Sequence, residues 1–68
     1  METIENNEAP YRLNTTVTLK NGKQDKVSRP FHDYQNALEW ADMFWKCYSG
    51  LRKDGIIQGF EVGVKRVL

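Results

Sequence analysis

Residues 11–20 read YRLNTTVTLK, and Asn21 and Gly22 follow directly. Apolar and polar side chains alternate along this stretch, which is the pattern of a β-strand with one buried and one solvated face. Asn-Gly directly after such a strand is a strong signal for a β-hairpin turn. The sequence therefore predicts a hairpin here, and the geometry of its turn decides how the two strands pair.

The register of the hairpin depends on the length of the turn. A two-residue turn at Asn21-Gly22 would place Val27 on the solvated face of the sheet. A three-residue loop, Lys20-Asn21-Gly22, pairs Thr15 with Val27 and directs Val27 towards the core, with Gly22 in the left-handed conformation. Since Val27 is the only strongly apolar residue of the predicted second strand, we expect the three-residue loop.

A helix is predicted after the hairpin, with Asp33 as its N-cap. We expect it to end near Ser49, with Gly50 as the terminating glycine; an extension to Lys53, with Gly55 as the stop, is the alternative. Apolar residues recur at helical spacing along this segment and define the face that should pack on the sheet. The residues on this face are Tyr34, Ala37, Leu38, Ala41, Phe44, Trp45 and Tyr48.

Residues 56–68 alternate again and predict a third strand, in which Gly59 marks a bulge. The second strand is short and polar and is stopped by Pro30, which is typical of an edge strand. The first strand has the cleanest alternation and should lie in the centre. The sequence therefore predicts a single small α+β domain over residues 11–68, with β-β-α-β order. It should be a three-stranded antiparallel sheet of order 2-1-3 with one helix packed on one face.

Charge is distributed unevenly along the chain. Residues 1–10 contain Glu2, Glu5 and Glu8 but no Lys or Arg, and we expect them to form a disordered acidic tail. Residues 11–68 contain all ten basic residues against six acidic ones, so the body of the protein is mildly basic.

Signals for catalysis or cofactor binding are weak. Cys47 and His32 are the only residues of their types, so neither a disulfide nor a four-ligand zinc site can form within the chain. The glycines do not form a phosphate-binding motif. We therefore expect no enzymatic activity and no cofactor.

The chain contains no secretory signal and no apolar run of membrane-spanning length, so we expect no membrane partner. A lone free thiol fits a reducing compartment, and this predicts a cytoplasmic protein.

A second line of apolar residues follows the helix, about 100° or more away from the line that should face the sheet. One sheet cannot cover both lines, and exposed aromatic, Met and Leu side chains together are typical of a protein contact. We therefore expect a small interaction or regulatory module that binds a protein partner or itself. The four residues, called the helix stripe below, are Trp40, Met43, Cys47 and Leu51.

Two alternatives depend on other features. The third strand, Phe60 to Leu68, is a second candidate site, because its free edge could pair across a dimer or take up a partner strand. The solvated face of the sheet is polar and basic and could contact nucleic acid, although it carries no aromatic residues to stack on bases. A small enzyme using His32 or Cys47 is the least expected function. The residues of the candidate nucleic-acid surface are Arg12, Thr16, Lys20 and Lys65.

Overall fold

The structure, a computed structural model, describes residues 9–68. The predicted acidic tail therefore lies outside the described residues, apart from Ala9 and Pro10. Ala9 is buried, and the carbonyl of Pro10 accepts a hydrogen bond of 2.8 Å from the backbone N–H of Val67. The folded body thus includes these two residues.

Three strands and one helix make up the described part of the chain. In chain order they are β1 (Tyr11–Leu19), β2 (Gln24–Phe31), α1 (Tyr34–Lys53) and β3 (Ile57–Arg66). The strands form one antiparallel sheet in the order β2-β1-β3. The helix lies on one face of this sheet, mainly above β3. These findings confirm the predicted α+β fold, its element order and its sheet order.

The hairpin between β1 and β2 has the predicted three-residue loop. Thr15 lies opposite Val27 in the sheet. The N–H of Leu19 donates to the carbonyl of Lys23 at 2.8 Å, and the N–H of Gly22 donates to the carbonyl of Leu19 at 2.9 Å. Gly22 has a φ of +89°, which is the left-handed conformation that glycine adopts at little cost.

We expect Gly22→Ala to lower the free energy of unfolding by about 1 kcal/mol or more, because a Cβ disfavours positive φ. No atom lies within 4 Å of an ideal Cβ at this position, so the cost is conformational rather than steric. Gly50→Ala is the matched control, since Gly50 lies within the helix and has equally open surroundings. That substitution should raise stability. Thermal unfolding of both variants checks the assignment, and a Gly22→Ala variant as stable as the wild type would contradict it.

The helix begins as predicted. The Asp33 carboxylate accepts a hydrogen bond of 3.3 Å from the N–H of Gln35, and its carbonyl accepts one of 3.0 Å from the N–H of Ala37. Asp33 is therefore the N-cap. This start places Tyr34 above the beginning of β1, where its ring lies 5.2 Å from that of Tyr11.

The helix ends one turn later than the preferred prediction. The expected end near Ser49 is wrong, because α1 continues through Gly50 to Lys53. Gly55 has a φ of +77° and donates its N–H to the carbonyl of Arg52 at 3.0 Å. The N–H of Ile56 donates to the carbonyl of Leu51. This is the Schellman termination. A glycine inside a helix costs only about 1 kcal/mol, which the hydrogen bonds and contacts of an extra turn can offset.

The predicted bulge lies next to Gly59. Thr18 pairs with Gly59, whereas Leu19 pairs with Ile57, so Gln58 is the extra residue. The extra residue restores the alternation and returns Ile57 to the buried side of the sheet, where it is 5% exposed.

The core is small. Leu13 is the only large side chain that is fully buried among residues 9–68. Three residues predicted to face the sheet, Tyr34, Leu38 and Trp45, are only partly covered and remain 50%, 37% and 54% exposed. A helix of about 10 Å diameter touches a sheet along a narrow strip, so side chains well off that strip point sideways. The part of the chain that the structure describes contains no second helix to cover them.

Candidate functional site

The helix stripe is accessible over most of its length. Trp40 and Met43 are 42% and 53% exposed, and Cys47 is exposed as well. The centre of the Trp40 ring lies 6.0 Å from the centre of the Phe44 ring. The guanidinium carbon of Arg29, on β2, lies 5.9 Å from the centre of the same Phe44 ring. The helix stripe therefore runs along the side of α1 that faces β2.

Leu51 differs from the other members of the helix stripe. It is half-buried near the end of α1, and its carbonyl accepts the N–H of Ile56 at 2.9 Å. The surface available to a partner is therefore centred on Trp40 and Met43, which lie one turn apart. Together with Glu39 they line an open concavity of about 260 Å³. This arrangement places an apolar hollow beside one carboxylate.

A second surface follows the outer edge of β3. A groove of about 610 Å³, called the β3 groove below, runs between this strand and the helix residues Trp45 and Arg52. The Trp45 ring meets the Phe60 ring edge-on at 5.9 Å, and the Arg52 guanidinium lies 5.8 Å from the centre of the same ring. Within residues 9–68, β3 pairs with β1 alone, so its other edge has no neighbouring strand.

Sequence reasoning identified the edge of β3 but missed Trp45. The residue is 54% exposed and flanks the β3 groove, whereas the sequence analysis placed it in the core. Its position at the margin of the apolar arc was the available signal. At 100° per residue it lies about 80° from Ala37, which is the fully buried residue of the helix.

The outer sheet face, on the side opposite the helix, collects part of the predicted basic surface. Arg12 and Lys65 lie directly opposite each other on β1 and β3. Lys20 lies in the turn at the far end of β1, about 27 Å away at the usual rise per strand residue. Thr16 lies between these ends and opposite Glu61. The structure therefore brings two of the predicted cations together and places a carboxylate in the middle of the surface.

The two residues considered for catalysis are well separated. His32 and Cys47 are both exposed. His32 precedes the helix and Cys47 lies in its fourth turn, so about 20 Å of helix separates them. They cannot form a hydrogen-bonded nucleophile and base. Among residues 9–68, no three side chains of metal-binding type are grouped together.

Over the described range, no helix has both the length and the apolar character that a membrane span requires.

Comparison of the chain with protein-family models, with curated proteins and with solved structures finds no match in any of the three. The candidate functional surfaces of the described residues are therefore the helix stripe, the β3 groove and the outer sheet face.

Proposed function

We propose that this protein is a small, non-enzymatic interaction module that acts by binding a protein partner or a second copy of itself through the helix stripe. The observation that supports the proposal is the pair Trp40 and Met43, which lie side by side on one helix and are each about half exposed. Tryptophan and methionine are enriched at protein interfaces, because they bury a large apolar area. Isolated exposed apolar residues need no explanation, but a contiguous set does.

The surroundings of the helix stripe extend it into a surface of useful width. Val27 on β2 faces the helix side of the sheet and is 43% exposed. Since the helix lies mainly over β3, it leaves Val27 on this side of β2 only partly covered. A partner that contacts both elements could bury more area than the narrow helix stripe alone offers, which matters because stable interfaces bury about 800 Å² on each partner.

Rigidity also favours binding. The helix has a hydrogen-bonded cap at its start and a Schellman termination at its end. The backbone of such a helix is already ordered before a partner binds. Binding therefore costs less conformational entropy than it would on a flexible segment. We propose that binding takes place in the cytoplasm, since the exposed lone thiol of Cys47 fits a reducing compartment.

We expect Trp40→Ala and Met43→Lys to weaken partner binding by about tenfold or more, because apolar anchors at the centre of an interface carry most of its binding energy. Both residues are exposed, so the variants should stay folded. Leu51→Lys is a poorer test, because Leu51 is half-buried and a charge there would also destabilise the helix end. Affinity capture from the native host with quantitative mass spectrometry measures the effect, followed by calorimetry with the purified partner.

Lys46→Ala is the control for this experiment. Its side chain is 73% exposed on the solvent side of the same helix. Recovery of the partner should be unchanged with this variant and reduced with the other two. The proposal fails if neither a partner nor a second copy shows binding that depends on Trp40 and Met43.

Nucleic-acid binding by the outer sheet face is the alternative. Arg12 and Lys65 lie side by side there and could contact adjacent phosphates. Glu61 in the middle of the same face and the lack of stacking aromatic residues weaken this alternative. Salt separates the two functions, since affinity for nucleic acid falls steeply with salt concentration, whereas binding through apolar residues does not.

A further inference from the structure

We propose that the outer edge of β3 is a second binding site and that it takes the β3 strand of a second copy of this chain. The two strands would pair antiparallel about a two-fold axis at Gly63. This inference goes beyond the proposed function, because it uses a different surface and predicts a defined homodimer.

The two edges of the sheet differ in how they are protected. Edge strands invite pairing with other chains, and proteins commonly protect them with proline and charge. β2 contains Pro30 together with Asp25, Lys26 and Arg29 and is exposed along most of its length. β3 contains no proline over its ten residues, and valines lie on both sides of Gly63. β3 also carries the charges Glu61, Lys65 and Arg66, so the two edges differ in the proline, which β3 lacks.

Charge selects one register for the pairing. In a symmetric antiparallel pair, residues equally far from the axis lie opposite each other. An axis at residue 61 would bring two Glu61 side chains together, and an axis at residue 65 would bring two Lys65 side chains together. Like charges directly opposite destabilise a sheet. An axis at Gly63 instead places Glu61 opposite the partner's Lys65, and does so twice. Axes at residues 62 and 64 leave both charges without an opposite charge.

The neighbours of these charges support the same register. Among residues 9–68, neither Glu61 nor Lys65 forms a salt bridge. Lys65 lies opposite Arg12 within the sheet, which is an unfavourable pair of like charges. A carboxylate on the open side of Lys65 would offset this repulsion. No atom lies within 4 Å of an ideal Cβ at Gly63, so the centre of the contact is unobstructed on the outer sheet face.

The resulting dimer would have a continuous six-stranded sheet with both helices on the same side, where they would pack against each other because each lies mainly above its own β3. On that side the register pairs Val62 with the partner's Val64. Trp45, which flanks the β3 groove, would lie next to this junction and lose part of its exposure. The helix stripe lies on the opposite side of α1 and would remain accessible. The dimer would therefore present two helix stripes facing away from each other.

Charge exchange tests the pairing. In the wild-type dimer Glu61 lies opposite the partner's Lys65 twice. Glu61→Lys replaces both of these pairs with Lys-Lys pairs, and Lys65→Glu replaces both with Glu-Glu pairs. We expect the dissociation constant of either homodimer to rise about tenfold or more. A mixture of the two variants should associate again, because the heterodimer contains two pairs of opposite charge. The double variant carrying both substitutions should also dimerise. Sedimentation velocity with circular dichroism measures association and confirms folding.

The control variants change the net charge by the same amounts as the two β3 variants, but at positions on the helix. Asp42 and Lys46 form an exposed ion pair of 3.0 Å on the solvent side of the helix. Asp42→Lys and Lys46→Glu should each dimerise like the wild type, and mixing them should add nothing. A wild type that stays monomeric at millimolar concentration overturns the proposal. So does a mixture of the two β3 variants that associates no better than the control mixture. If Trp40→Ala abolishes dimerisation, the copies meet at the helix stripe, the β3 pairing is wrong and the proposed function stands.

Discussion

Leu13→Ala is expected to remove about 2–5 kcal/mol of stability, which is the usual cost of truncating a fully buried leucine. Leu13 lies in the central strand, opposite Arg29 on one side and Val64 on the other, and is completely inaccessible to solvent. No other large side chain among residues 9–68 is fully buried. A domain of this size has a total stability of only about 3–10 kcal/mol, so the variant should be largely unfolded at moderate temperature.

Val27→Ala provides the comparison for this result. Val27 lies on the same side of the sheet but is 43% exposed, so its truncation should cost less than about 1 kcal/mol. Urea unfolding followed by tryptophan fluorescence measures both variants, at one protein concentration because association would add stability. Similar losses from the two substitutions would show that Leu13 is not the centre of the core.

The hairpin and the sheet order could be predicted because local patterns decide them. The register of the hairpin follows from the face of the sheet on which Val27 lies. The structure pairs Val27 with Thr15, as expected if Val27 lies on the helix side. The sheet order follows from the difference between a cleanly alternating β1 and a polar β2. A one-residue slip would turn every β2 side chain to the other face. Val27 lies on the predicted face but stays 43% exposed, so it gains only part of the burial on which the prediction was based.

The end of the helix and the exposure of its sides could not be predicted in the same way. Gly50 and Gly55 are both chemically able to end a helix, and the choice between them depends on whether the last turn packs on the sheet. The apolar arc of α1 is also wider than the strip that one sheet covers. Helical spacing places Trp45 near the core line, but only the position of the helix over β3 shows that this side chain reaches past the sheet edge. The spacing of residues determines the direction in which each side chain leaves the helix, but it does not determine which other element covers that side chain.

The small core connects folding with association. Among residues 9–68 few are fully buried, and the single cysteine cannot form a disulfide within the chain. A partner that covers Trp45 or Trp40 would remove apolar area from water and stabilise the folded chain by mass action. We therefore expect the melting temperature of the wild type to rise with protein concentration if the β3 edges pair.

Phe60→Ala is expected to have the second-largest effect on stability, a loss of about 3 kcal/mol. The Phe60 ring is half-buried and contacts three side chains of the helix. Its centre lies 5.9 Å from that of Trp45, 5.8 Å from that of Tyr48 and 5.8 Å from the Arg52 guanidinium carbon. Aromatic pairs at such distances contribute about 0.5–1.5 kcal/mol each beyond the area they bury. One substitution therefore removes two ring contacts and a cation–π contact.

Phe60→Leu separates volume from aromaticity, since it keeps most of the apolar bulk and should cost about half as much. In a Trp40→Phe background, Trp45 is the only tryptophan, so near-ultraviolet circular dichroism reports its packing directly. The signal should weaken with Phe60→Ala, because the Trp45 ring loses its edge-on neighbour.

The loss of the Phe60 ring should also reduce dimerisation through β3, since Trp45 and Phe60 both flank that edge. With Trp40 intact, partner binding at the helix stripe should persist in the fraction of Phe60→Ala that remains folded. An unchanged Trp45 signal together with full stability would mean that Phe60 does not join the helix to β3.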